Sequence, residues 1–238
     1  MSKNLIVTSY FCNKPDVRNN TSAARNDVGY IGGWYDSVKA LDLDAIILHD
    51  GLSSEFILEY QTDKISFRYH DTSRWSLNDE RFLALETLLS EVDCDKILMT
   101  DGSDVVINKD PFDFINDPDL LYFGTDRPDT PLVKDNIFAF LSWIKLHRLL
   151  KLSRESLDHF LTFNYVNAGI FGGYAAPAAA FLIQLNQLFR QINSDTNNNM
   201  MAVNYVIWAN NVRHWKGQPF TSPFKNEDTS SQYYIKHK

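Results

Sequence analysis

The first half of the chain repeats one pattern, in which a short apolar and β-branched run is followed by a stretch with helical spacing. The apolar runs occupy residues 5–9, 45–49, 65–69 and 96–100. Before the last run, residues 78–89 place apolar side chains on one face of a helix with an acidic first turn. Strands that alternate with helices are typical of a parallel sheet covered by helices. The pattern therefore predicts an α/β protein.

The second half predicts a change in this arrangement. Strands are expected at 120–124, 165–173 and 233–237, and helices at 136–151, 175–193 and 200–209, with an irregular stretch after Trp215. We therefore expect a mixed, mostly parallel central sheet flanked by helices. The 238 residues are 44% hydrophobic, which suffices for one core, so a single domain spanning 1–238 is predicted, with halves 1–107 and 108–238.

Composition excludes several classes of partner. Lys and Arg total 23 against 30 for Asp and Glu, a formal net charge of -7, which disfavours binding to nucleic acid or to anionic lipid. The two cysteines, Cys12 and Cys94, are too few for a disulfide framework. The apolar run at 5–7 is too short for a signal or transmembrane segment. A cytoplasmic location is expected, and the sequence does not specify an oligomeric state.

Two carboxylates interrupt the apolar run 97–107, in the order Asp101, Gly102, Ser103, Asp104. At the carboxyl end of a strand in an α/β sheet, such a pair points into the crevice where ligands bind. Carboxylate oxygens suit Mn²⁺ or Mg²⁺, which complete their shells with water and substrate phosphates. The alternative is a tight Asp-Gly turn with solvated acids.

This segment, followed by Asp110-Pro111-Phe112 and later by the run Asn167-Ala168-Gly169 within 165–174, resembles the GT-A glycosyltransferases. It is similar in particular to the glycosyltransferase domain of the multifunctional lysyl hydroxylases and to family 8 glycosyltransferases. The resemblance implies a GT-A fold, which is a Rossmann-like nucleotide-diphospho-sugar transferase fold. It also implies a nucleotide-sugar donor, with UDP favoured, and a carbohydrate or glycoconjugate acceptor. Hexosyl transfer is implied, with retention favoured over inversion.

The same resemblance implies roles for individual residues. Asp101 and Asp104 would bind the metal together with a late histidine, for which His237 is preferred to His214 because it ends an apolar run and has a lysine on each side. The alternative for His237 is a frayed terminus. The expected donor contacts are Thr8, Tyr10, Arg81, Asp101, Gly102, Ser103 and Lys236. Residues 1–107 would form the nucleotide-binding half and 108–238 the sugar and acceptor half.

Three further residues are candidates for the reacting end of the site: Asp126, Asn167 and Asn199. The Asn167 carboxamide would bind sugar hydroxyls, although the neighbouring glycines also suit a structural bulge. Asp126 follows a strand and would bind a hydroxyl, or would cap a turn. Near the start of the late helix the related sequences carry an acid, where this chain has Asn198-Asn199-Met200-Met201. An amide such as Asn199 cannot act as a carboxylate nucleophile or base.

Two other functions remain open from the sequence. A nucleotidyltransferase would also use a strand-end carboxylate pair, but it would require a glycine-rich phosphate loop, and residues 8–11 contain no glycine. A nucleotide-sugar-binding protein without turnover is compatible with Asn198 and Asn199 in place of acids.

Overall fold

The structure is a computed structural model that describes residues 3–15, 20–72, 74–125, 144, 146–161, 163–225 and 232–238. The strands are β1 (Asn4–Tyr10), β2 (Ala45–His49), β3 (Ile65–Tyr69), β4 (Lys96–Thr100), β5 (Val105–Ile107), β6 (Leu121–Gly124), β7 (Asn167–Tyr174), β8 (His214–Lys216) and β9 (Ile235–His237). The α-helices are α1 (Gly32–Ala40), α2 (Ser54–Tyr60), α3 (Leu77–Glu91), α4 (Arg154–Leu161), α5 (Ala175–Ile192) and α6 (Asn199–Ala209). Residues 146–150 are also helical.

Seven strands form one mixed sheet in the order β3-β2-β1-β4-β7-β6-β8. The strands β3, β2, β1 and β4 are parallel, whereas β7 runs antiparallel to both β4 and β6, and β8 pairs parallel to β6. The short strands β5 and β9 form a separate antiparallel pair. The predicted mixed, mostly parallel sheet is thus confirmed.

Helices cover both faces of this sheet, which explains why its central strands are apolar on both sides. On one face, Phe82 of α3 and Leu182 of α5 lie in a core that includes Val7 of β1. On the other face, Trp34 of α1 packs in a core that includes Ile6. No helix among the described residues is long and apolar enough to cross a membrane.

The strands of the first half lie where the sequence predicts them. Strand β7 begins at residue 167, two residues later than expected, because the backbone N–H of Val166 donates to the Asn204 side chain (2.7 Å). The helix expected at 136–151 lies largely outside the described residues. The short elements α1, α2, α4 and β8 were not predicted, since runs of three to nine residues carry little periodic signal.

Strands β4 and β7 approach most closely at Gly172. A Cβ added there would lie 2.5 Å from the Ile97 carbonyl oxygen and 3.0 Å from Leu98 Cα, both backbone atoms. Glycine is therefore required to keep these two strands at hydrogen-bonding distance.

We expect Gly172→Ala to destabilise the fold by about 1–3 kcal/mol, because the backbone of β4 would have to move to accept the methyl group. Urea unfolding followed by circular dichroism measures the change. Gly32→Ala is the control, since a Cβ at Gly32 meets nothing within 4 Å, and its effect should stay within about 0.5 kcal/mol. Equal stability of the two variants would contradict the close approach.

Candidate functional site

A cleft of about 570 Å³ opens at the carboxyl ends of β1 and β4. Its volume lies in the usual range for small-molecule sites. The lining residues are Ser9, Phe11, Thr21, Ser22, Ala23, Ala24, Tyr30, Leu77, Asn78, Arg81, Asp101, Gly102, Ser103, Asp104, Phe224 and Lys225. In an open α/β sheet, this edge is where ligands bind.

Asp101 and Asp104 line this cleft, and the buried His237 lies close to both of them. The imidazole Nε2 of His237 lies 3.7 Å from Asp101 Oδ2 and 3.9 Å from Asp104 Oδ2. Each of the three offers one ligand atom, and these atoms lie within 4.8 Å of one another. His214, the alternative histidine, lies at the start of β8 with Nδ1 2.9 Å from the Val212 carbonyl.

The pairing of β5 with β9 brings His237 to the two acids. Val105, directly after Asp104, is the register partner of His237, and the N–H of Lys238 donates to the Asp104 carbonyl (2.7 Å). The N–H of His237 donates to Ser222 Oγ (2.8 Å). The side chain of His237 is 1% exposed, which is not the environment of a frayed terminus.

Arg81 of α3 holds the first acid in place. Its Nη1 donates to Asp101 Oδ1, and its Nη2 donates to the Ala168 carbonyl (2.8 Å). The Arg81 residue is only 4% exposed. One oxygen of Asp101 is thereby engaged by arginine, while the other faces His237.

The residues present fit a divalent cation. Two carboxylates and an imidazole are suitable donors for Mn²⁺. The distances from His237 Nε2 to the two carboxylate oxygens, 3.7 and 3.9 Å, match the roughly 3–4.2 Å expected between two ligand atoms of one cation with bonds of about 2.1 Å. Asp104 Oδ1 is buried and has no hydrogen-bond partner among the described residues.

Only some of the predicted donor contacts line the cleft. Gly102 and Ser103 line the cleft. Thr8 and Tyr10 lie behind its wall and are fully buried. Thr8 Oγ1 donates to the Thr100 carbonyl (3.0 Å), and the Tyr10 hydroxyl lies within hydrogen-bonding distance of the carbonyls of Ala24 and Asp27. A Cβ at Gly102 would lie 2.7 Å from Thr8 Oγ1, so the threonine supports the turn that carries the acids.

Lysine reaches the cleft from an unexpected position. Lys236 alternates with the buried Ile235 and His237 along β9, so its side chain points to the opposite face. Lys225 lines the cleft instead. Its backbone is left-handed (φ 58°), a conformation uncommon outside glycine and asparagine. The neighbouring Phe224 ring packs on the His237 ring at 4.6 Å.

The three candidates for the reacting end have different surroundings. Asn167 starts β7, is 7% exposed, and accepts the Gly169 N–H at its Oδ1 (2.6 Å). Asn199 is buried in the first turn of α6, with its Nδ2 3.5 Å from the carbonyl of Asn78, a cleft residue. Asp126 lies outside the described residues.

A carboxyl that the sequence analysis did not single out lies beside Asn198. Both oxygens of Asp79 accept the Asn198 N–H (3.1 and 3.2 Å), and Asp79 Oδ2 also accepts from Asn198 Nδ2 (3.3 Å). Asp79 is 1% exposed, and this burial raises its pKa to about 7. The start of α6 thus contacts an acid that α3 supplies. The spacing Ser76 to Asp79 is a helix-capping pattern, which places Asp79 in the first turn of α3 but does not indicate its contact with Asn198.

The fold and the acids at its strand ends together define the GT-A class of structure. Solved structures of the galactosyltransferase LgtC share the fold: one in complex with donor and acceptor sugar analogs has a TM-score of 0.54, and one of an active-site mutant has 0.57. Each is 13% identical, and each match covers 98% of this chain and 86% of that chain. No protein-family model and no curated protein matches the sequence.

These neighbours confirm the predicted GT-A fold. LgtC is a GT-A galactosyltransferase of family 8, and at 13% identity the likeness to it shows the fold. The resemblance to lysyl hydroxylases is not tested by these neighbours.

Because the pKa of Asp79 is raised in the folded state, the free energy of unfolding should fall as pH rises. Because its folded-state pKa is about 7, above the reference value of 3.8, its stabilising contribution is complete below about pH 4 and is lost as pH rises through about 7. Between pH 5 and pH 8 the loss is on the order of 3 kcal/mol. Asp79→Asn, which cannot ionise, should remove this loss.

The measurement is urea unfolding of both proteins at pH 5 and pH 8. Asp93→Asn, at an exposed position, is the control and should follow the unmodified chain. If Asp79→Asn shows the same pH dependence as the unmodified protein, Asp79 is not a buried neutral acid at pH 5.

Proposed function

We propose that this protein is a metal-dependent glycosyltransferase that transfers a sugar, a hexose in our proposal, from a nucleotide-diphosphate donor to a hydroxyl of a carbohydrate or glycoconjugate. The observation that carries the proposal is the convergence of Asp101, Asp104 and His237 beside a cleft that the two acids line, in a GT-A fold. UDP is the favoured nucleotide, on the resemblance to family 8. The same resemblance favours retention of the anomeric configuration.

In this proposal Asp101, Asp104 and His237 hold Mn²⁺ or Mg²⁺. The bound cation supplies Lewis-acid stabilisation of the negative charge that develops on the departing diphosphate. Arg81 orients the Asp101 carboxylate through its bond to Oδ1. The wall formed by Ser9, Phe11 and the small side chains at 21–24 receives the nucleoside.

Residues 1–107 then bind the nucleotide, and 108–238 contribute most of the sugar and acceptor end. Asn167 and Asn199 lie at that end. Both are buried amides that donate and accept hydrogen bonds, as recognition of sugar hydroxyls requires. The Asp79 carboxyl sits behind Asn198 and positions the first turn of α6.

A second candidate function is binding of a nucleotide sugar without turnover. It is favoured by the amides Asn198 and Asn199 at the start of α6, where the related sequences carry an acid. A nucleotidyltransferase is a weaker candidate, because the segment after β1, Phe11-Cys12-Asn13, contains no glycine for a phosphate loop.

The first experiment incubates the protein with a panel of nucleotide sugars, with and without Mn²⁺, and measures nucleotide release and thermal stability. We expect release from one donor that depends on Mn²⁺, and a loss of about a hundredfold or more in Asp104→Ala, since the diphosphate loses its cation. Binding alone should stabilise the protein by about 2.7 kcal/mol at a hundredfold excess over Kd.

Asp113→Ala is the matched control, because Asp113 is an exposed acid outside the cleft. Stabilisation by a donor without release, in the presence of candidate acceptors, would support the binding protein. If no donor and no metal changes either quantity, the glycosyltransferase proposal is wrong.

Lys225 is the lysine that we expect to contact the donor phosphates. The carboxylates of Asp101 and Asp104, the guanidinium of Arg81 and a bound divalent cation together carry a net charge of about +1. A nucleotide-sugar diphosphate carries about −2. The ammonium of Lys225 balances this difference. Among the residues that line the cleft, the charged ones are Arg81, Asp101, Asp104 and Lys225.

Lys225→Ala should weaken UDP binding in the presence of Mn²⁺ by about tenfold or more, because a charged hydrogen bond is lost. Isothermal titration calorimetry measures the affinity. Lys109→Ala is closely matched: Lys109 is also exposed and also lies 5.4 Å from an aromatic ring, but outside the cleft. Equal UDP affinities for the two variants would remove Lys225 from the donor site.

A further inference from the structure

One small space beside Gly169 is shared by three side chains. A Cβ added to Gly169 would lie 2.5 Å from Asp101 Oδ2, 2.8 Å from Asn167 Oδ1 and 2.8 Å from His237 Cε1. Asp101 and His237 are two of the three residues in the proposed metal site. The Asn167 carboxamide oxygen therefore borders the same point as the Asp101 carboxylate oxygen and the edge of the His237 ring.

An irregularity in β7 explains how Asn167 reaches this point. Phe123 of β6 pairs with Phe171, but the next residue, Gly124, pairs with Asn167, so the register shifts within β7. Residues 168–170 are left out of the ladder with β6. Pairing with β4 continues, since the Gly169 carbonyl accepts the Asp101 N–H (2.7 Å). Bulges of this kind re-aim side chains next to active sites. Here the shift lies directly beside Asn167, whose Oδ1 accepts the Gly169 N–H.

We propose that Asn167 belongs to the coordination shell of the cation, as a fourth protein group that contributes an oxygen through its side-chain carbonyl. The inference rests on the proposed function, since it concerns the same metal site. Mn²⁺ and Mg²⁺ take oxygen ligands, carboxamide oxygens among them, and an octahedral shell has room for more than three protein ligands. A neutral ligand also adds no third negative charge beside Asp101 and Asp104.

The surroundings of Asn167 suit this role. The residue is 7% exposed, and the N–H of Gly169 fixes the position of Oδ1 (2.6 Å). A carbonyl oxygen has two lone pairs, so this hydrogen bond is compatible with coordination. The arrangement differs from a contact with sugar hydroxyls alone, because it predicts an effect of Asn167 on metal affinity with no sugar present.

The test is a titration of Mn²⁺ in the presence of a fixed concentration of UDP, with free Mn²⁺ measured by electron paramagnetic resonance. Asn167→Ala should weaken Mn²⁺ binding by about 10–100-fold. Asn167→Asp, which keeps the shape and adds a charge, should bind Mn²⁺ more tightly than the unmodified protein. Gly169→Ala should weaken Mn²⁺ binding, because its methyl group would fill the shared space.

Asn108→Ala is the control, because it removes a half-buried carboxamide near β5 that bonds the Tyr233 carbonyl, away from the acids. Thermal unfolding verifies that each variant is folded. If Asn167→Ala does not fold, Asn167→Asp decides, and an affinity no higher than that of the unmodified protein overturns the inference.

Two negative results are distinguishable. If Asn167→Ala binds Mn²⁺ as well as the unmodified protein does, Asn167 is outside the shell, while the metal site and the proposed function stand. If the unmodified protein with UDP binds no Mn²⁺, the proposed function fails, and the inference about Asn167 fails with it.

Discussion

The ion pair between Arg81 and Asp101 joins the three elements on which the site depends. Arg81 belongs to α3, Asp101 follows β4, and the second guanidinium nitrogen reaches the Ala168 carbonyl in β7. A guanidinium with 4% exposure is costly to bury unless acceptors of this kind surround it. The pair therefore fixes the end of β4 against the bulge of β7, and it sets which oxygen of Asp101 faces His237.

The reversal of strand direction between β4 and β7 explains why the site forms here. Parallel strands on one side deliver Asp101 at a carboxyl end, while the antiparallel β7 delivers Asn167 and Gly169 at its amino end. Both ends meet at one edge of the sheet. The separate pair of β5 with β9 then returns His237 to the same edge. As a result, Asp101 and His237 lie close together although they are 136 positions apart in sequence.

The sequence predicts those parts of the fold and site that depend on local pattern. Buried parallel strands such as β2 are continuous apolar runs, and the acids at 101 and 104 stand out because they interrupt one. Asp79 and Lys225 were not found, since their positions depend on packing between segments far apart in sequence. Lys236 was expected at the site from its neighbours, but the alternation of β9 turns it away.

The charge of the chain constrains how the proposed donor site can work. With a net charge of -7, the protein as a whole repels a nucleotide diphosphate, and the cleft itself contains two acids. Arg81 is already committed to Asp101 and Ala168. Donor binding therefore needs positive charge that the floor of the cleft does not supply by itself. In the proposed site, a cation held by Asp101, Asp104 and His237, together with Lys225, would make metal and donor binding mutually dependent, because each would neutralise charge that otherwise opposes the other.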